Sequence, residues 1–107
     1  MPHKFYGLSA LLNKPLDPSK GLVDQYETAY TKGYECGGSY LKLLTYDEGF
    51  SPSELHDETP YSVMFGPDKC GEATDKIHMI LRHQSPLDGS ITEKHRKPQP
   101  KLPSDKL

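Results

Sequence analysis

Apolar and polar residues alternate along this chain in short runs with a period of two, the signature of strands with two unlike faces. Residues 39–45 send Leu41 and Leu43 one way and Tyr40, Lys42 and Leu44 the other. Residues 76–84 repeat the pattern, with Ile77, Met79 and Leu81 set against His78, Ile80 and Arg82. Residues 61–65 form a third such run, and Gly66-Pro67-Asp68 after it predicts a stop. Ser85-Pro86-Leu87-Asp88-Gly89 has the composition of a hairpin turn, so residues 90–95 are expected to pair back on 76–84.

The N-terminal part is less regular. Residues 4–12 read as a strand of mixed polarity ended by Asn13-Lys14-Pro15, and Asp17-Pro18-Ser19-Lys20-Gly21 as a turn. Residues 22–30 read as a second strand with Leu22, Tyr26 and Tyr30 on one face. Asp24 and Thr28 share that face, an awkward placement for a core strand. Thr31-Lys32-Gly33 makes the next turn. The polar stretch 46–59 reads as a loop with one helical turn following Ser51-Pro52-Ser53-Glu54. Residues 97–107 hold three prolines and little to bury, and read as an extended linker. Short strands separated by turn signals, with no internal repeat, predict an all-β antiparallel sandwich or jelly roll.

A chain of 107 residues makes one small domain, and only 34% of it is hydrophobic, so its core is modest. Ten prolines and nine glycines favour turns over long helices. A net charge of -2 gives no electrostatic ground for nucleic acid or an anionic membrane as partner. No apolar stretch approaches the roughly 18 to 20 residues of a membrane-spanning helix. Met1-Pro2-His3-Lys4 opens no signal peptide, so a luminal address is expected to lie upstream. Cys36 and Cys70 are too far apart for a CxxC half-site, and the residues leave two readings open: one bridge, or two buried thiols. A bridge would stabilise the fold by roughly 3 to 4 kcal/mol in the chain-entropy model.

Tyr40 and Lys42 lie two apart on one strand and so project from the same face. A tyrosine ring offers a flat apolar plate to the C–H face of a sugar, and a lysine donates up to three hydrogen bonds to its hydroxyls. If Cys36 bonds Cys70, then Met64 and Asp68 are drawn beside this strand, with Tyr61 near. The competing reading of the same residues is a solvated sheet face of no special chemistry.

The segments Glu35-Cys36-Gly37-Gly38-Ser39-Tyr40-Leu41-Lys42 and Tyr61-Ser62-Val63-Met64-Phe65-Gly66-Pro67-Asp68-Lys69-Cys70-Gly71 resemble the disulfide-linked sugar-binding segments of the calnexin and calreticulin family. The resemblance extends to Lys4-Phe5-Tyr6-Gly7-Leu8-Ser9-Ala10, to Gln25-Tyr26-Glu27, and to Lys76-Ile77-His78, Arg82-His83 and Glu93-Lys94-His95 of the calnexin branch. It implies a concanavalin-A-like β-sandwich, incomplete at its C-terminal side, with residues 1–96 as part of the lectin domain and 97–107 as tail. It also implies the Cys36–Cys70 bridge and a carbohydrate site on Tyr40, Lys42, Tyr61, Met64, Asp68 and Glu93. The function implied is a lectin chaperone of the endoplasmic reticulum lumen that binds monoglucosylated high-mannose N-glycans on unfolded glycoproteins. Calcium belongs to the full-length family, and no ligands for it are identifiable among these residues. The family pattern places further strands and a late acidic sugar ligand beyond the matching residues. There too lie the proline-rich arm that recruits oxidoreductases and any membrane-spanning tail. Asp24 and Thr28 stand where the family is usually apolar, at roughly 1 to 3 kcal/mol each if buried without partners.

Two other classes compete: a truncated family member without independent activity, and a jelly-roll glycoside hydrolase using Asp68 and Glu93. Hydrolysis needs carboxylates roughly 5 to 9.5 Å apart, and no strand carries a closely spaced acidic run such as E-x-D-x-E. The five histidines show no metal-binding spacing, and His78 and His83 fall on opposite strand faces. The basic run Lys94-His95-Arg96-Lys97 reads as a solvated hairpin end.

Overall fold

The computed structural model describes residues 4–102; His3 and residues 103–107 of the proline-rich tail lie outside the described residues. Five strands are present: β1 (Cys36–Gly38), β2 (Leu41–Leu44), β3 (Tyr61–Cys70), β4 (Thr74–Gln84) and β5 (Ile91–His95). Every pairing is antiparallel. β3 and β4 form the centre, β1 and β2 follow one another along the outer side of β3, and β5 flanks β4. The protein is all-β, an open antiparallel sheet of the jelly-roll kind.

The turns form for the reasons their residues supply. Asp17 Oδ1 accepts the Ser19 N–H at 2.9 Å and opens a short 3-10 turn, Pro18–Lys20. Pro52–Glu54 is the expected helical turn, closed by the Ser51 N–H donating to Glu54 Oε2 at 3.0 Å. At the hairpin, the Ser85 N–H donates to the Ser90 carbonyl at 2.8 Å, and β4 returns into β5 as expected.

Three expectations are corrected. β3 does not stop at Gly66-Pro67-Asp68 but runs through it to Cys70, paired along its length with β4. Pro67 is tolerated because it lies opposite the break between β1 and β2, where its carbonyl accepts the Ser39 N–H at 2.9 Å. That same break splits the run 39–45, so β2 begins at Leu41 and the residues Cys36–Gly38 form a separate strand.

Residues 4–12 and 22–30 are not strands. Alternation supplies a strand's faces, but a strand also needs a neighbour for its amides, and neither segment forms a ladder with the five strands of the sheet. These segments are instead held at points. Ser9 Oγ donates to the Pro52 carbonyl at 2.7 Å. The Tyr26 ring meets Phe65 edge-on at 6.0 Å, and Tyr30 stacks on Tyr34 at 4.4 Å. Asp24 and Thr28 are exposed, so the cost of burying them does not arise.

The described part of the tail follows β4 beyond β5. The Arg96 N–H donates to the Met79 carbonyl at 3.0 Å and the Ile77 N–H to the Pro100 carbonyl at 2.7 Å. The Leu102 N–H then reaches Asp75 Oδ1 at 3.0 Å.

The two faces of the sheet differ in kind. Leu41, Val63, Phe65, Met79 and Leu81 share one face through the pairs Leu41–Phe65–Met79 and Val63–Leu81. It is thinly covered, with Phe65 and Leu81 exposed. The other face carries the row Lys42, Met64, Ile80 and His95. On it lie Ile80 and Tyr61, the buried apolar side chains among the described residues.

Candidate functional site

Strand parity brings most of the expected site residues to this second face. Tyr40 and Lys42 are two apart, Lys42 is paired with Met64, and Asp68 lies four residues further along β3. Glu93 pairs with Arg82, which lies two residues from Ile80. Parity alone would leave Tyr61 on the opposite face, because it is three residues from Met64. The register steps between Leu43 and Leu44, so Leu44 pairs with Tyr61 while Leu43 pairs with Val63. Ser62 is the extra residue of a β-bulge, which re-aims the Tyr61 side chain onto the Met64 face.

Cys36 and Cys70 are direct cross-strand partners and are bonded, 34 residues apart in sequence. The bridge ties β1 to the end of β3 and delivers the chain to Tyr40. Gly38 has a local task there: a Cβ at this position would overlap the Tyr40 ring, which lies back over it. Tyr40 keeps 39% of its surface exposed and meets His78 edge-on at 5.5 Å. His78 Nε2 in turn is 3.0 Å from Asp68 Oδ2. Burial, reinforced by the neighbouring Asp68 carboxylate, raises the Tyr40 hydroxyl above the ordinary phenol range, so it stays a neutral donor.

A second group forms around Tyr61, which is only 6% exposed. Its hydroxyl donates to Glu93 Oε1 at 2.6 Å. The Arg82 guanidinium lies 4.2 Å from its ring centre and Lys42 Nζ 5.1 Å from it, both within cation–π reach. Arg82 Nε and Nη2 also donate to Glu93 Oε1, each at 3.3 Å, and His95 Nε2 lies 3.3 Å from Oε2. Sequence reasoning passed over Arg82, His78 and His95. The available signal was the even spacing of His78, Ile80 and Arg82 along β4, with His95 and Glu93 paired opposite Ile80 and Arg82 on β5.

The face therefore offers an exposed aromatic plate, an ammonium donor and two carboxylate acceptors on one sheet. A family model described as the Calreticulin family matches residues 1–107. The chain belongs to the calreticulin family. Calnexin homolog 1 of Arabidopsis thaliana is 48% identical over 104 residues, covering 95% of this chain and 19% of that protein. The calnexin homolog of Helianthus tuberosus is likewise 48% identical over 104 residues, with the same coverage. Calmegin of Bos taurus is 47% identical over 96 residues, covering 89% of this chain and 16% of its own length. The chain spans about a fifth of the length of the curated plant relatives it matches.

Membership of the calreticulin family brings a chaperone and lectin role at the level of the family. Calcium, which the resemblance attaches to the full-length family, meets no fitting cluster here: among the described residues no three His, Cys, Asp or Glu side chains could hold a metal ion.

The Tyr61 hydrogen bond is the main cause that holds the Glu93 carboxyl below the usual range; His95 and Arg82 add to it. A depressed carboxylate contributes its stabilisation above the unfolded value and loses it as pH falls through the lower, folded one. A carbon-detected titration of this calreticulin-family chain is thus expected to show Glu93 protonating below the ordinary glutamate midpoint. The Tyr61–Glu93 contact should loosen only in that acid window. A midpoint at or above the ordinary value would mean that the contact does not persist in solution.

Proposed function

We propose that this chain is the glycan-reading part of a lectin chaperone that binds monoglucosylated high-mannose N-glycans on immature glycoproteins in the endoplasmic reticulum lumen. The observation that carries the reading is the gathering of Tyr40, Lys42, Met64, Asp68 and Glu93 on one face of one sheet. The Tyr40 ring takes the apolar face of the terminal sugar, with the Met64 thioether beside it. Lys42 donates to sugar hydroxyls, and the carboxylates of Asp68 and Glu93 accept from them. Tyr61 holds this acceptor, since its own ring is covered. Association with oxidoreductases falls to the proline-rich arm of longer family members.

Glu93 does not fit the proton-donor role that a glycosidase would need. A glycosidase needs one carboxyl held protonated, with its pKa raised. Glu93 is shifted the other way.

In an NMR titration of the oxidised chain with a monoglucosylated oligomannose, shifts are expected to cluster at Tyr40, Lys42 and Met64. Tyr40→Ala and Lys42→Ala should each weaken binding by about tenfold, equivalent to ~1.4 kcal/mol. Unchanged affinity in both variants would remove this face from sugar recognition. A second reading, a family part that binds no sugar by itself, is favoured by the exposed Phe65 and Leu81 of the opposite face. Dispersed amide signals that ignore the sugar would establish it.

A further inference from the structure

The Glu93 carboxylate is held unequally at its two oxygens. Oε1 takes three donors, the Tyr61 hydroxyl at 2.6 Å and the Arg82 Nε and Nη2 at 3.3 Å each. Among the described residues, Oε2 meets only His95 Nε2, at 3.3 Å. A carboxylate oxygen accepts along about two lone-pair directions, so Oε1 is filled and Oε2 retains capacity. Arg82 spans both partners, since its guanidinium also lies over the Tyr61 ring at 4.2 Å from the centroid. Its planar fork can satisfy both geometries together, which a lysine ammonium cannot.

We infer that Arg82 is a positioning residue of the sugar site: it clamps Tyr61 and Glu93 Oε1 into one unit and so presents Oε2 as the acceptor for a sugar hydroxyl. The inference rests on the glycan-binding reading for its ligand, while the clamp itself exists without sugar. Arg82 contributes no atom to the ligand. Its charge sits against a buried ring, and the two donor atoms that reach Glu93 are directed to Oε1, away from the free oxygen.

The test compares the intact oxidised chain with Arg82→Gln and Arg82→Lys, using a monoglucosylated oligomannose and a carbon-detected pH titration of the Glu93 carboxyl without sugar. Arg82→Gln is expected to weaken sugar binding about tenfold and to raise the sugar-free Glu93 midpoint towards the ordinary value. Arg82→Lys keeps a cation near the ring but loses the fork, so it should keep the amide dispersion of the parent and still bind several-fold more weakly. Parental affinity in Arg82→Lys overturns the inference, and this variant decides the matter if Arg82→Gln does not fold. Should the parent chain bind no sugar, the glycan-binding reading fails separately. The Glu93 titration then decides the clamp: an unmoved midpoint in the variant that folds overturns it.

Discussion

Replacing Cys36 and Cys70 together with alanine lowers the unfolding free energy of the oxidised chain by about 3 to 4 kcal/mol, the closure entropy of the loop they span. This is the largest effect expected of any change considered, because the domain has little else in reserve. Its buried apolar side chains among the described residues are Tyr61 and Ile80, and domains of this size are marginal without a staple. The bridge also holds a strand of only three residues, Cys36–Gly38, against the end of β3. Urea unfolding of the parent and the double variant, each followed by amide dispersion, measures the difference. The unfolding midpoint should fall steeply, and the signals of Tyr40 and Lys42 should shift first as β1 frays. Equal midpoints with and without the bridge would show that the reduced chain is already constrained by other contacts.

Gly66→Ala is the second change with a large expected effect, a loss of about 2 to 4 kcal/mol from overpacking and backbone strain combined. Gly66 is buried in the middle of β3, with φ at 148°. A Cβ there would stand 2.5 Å from the Ser39 carbonyl oxygen, 2.6 Å from the Tyr26 hydroxyl and 3.0 Å from the Tyr40 Cα. Two of these are backbone atoms, so rotating a side chain cannot relieve the contact. The break between β1 and β2 would have to move away from β3, taking Tyr40 with it. Sugar affinity should therefore drop along with stability, although Gly66 itself offers nothing to a ligand. A variant as stable as the parent would mean that the Ser39–Tyr40 junction is free to shift.

Several features of the site were legible in the residues because they depend on neighbours in sequence. Tyr40 stands just before β2, two residues from Lys42, and its ring reaches His78 on the same face. The pairing of residues 90–95 on 76–84 follows from Ser85 to Gly89, whose local hydrogen bonds make the turn. The bridge between Cys36 and Cys70 was implied by the family resemblance and is present. Period two did not reveal which face would be covered. Ile77, Met79 and Leu81 look like a core set, yet Leu81 is exposed and Ile80, on the site face, is buried.

By itself, then, the sequence determined the turns at 17–21, 51–54 and 85–89, the two unlike faces of each strand in the sheet and the family to which the chain belongs. These follow from backbone preferences and side-chain order over a few residues, and from motifs long enough to be specific. Tertiary structure decided the rest. It left residues 4–12 and 22–30 outside the sheet, held by side-chain contacts rather than by a ladder. It carried β3 through Gly66 and Pro67, because a break in the neighbouring strands met the residue that lacks an amide hydrogen. It moved Tyr61 across the sheet through the Ser62 bulge and set Arg82 against both Tyr61 and Glu93. Each of these depends on which segments meet in the fold, a long-range condition that local alternation does not encode.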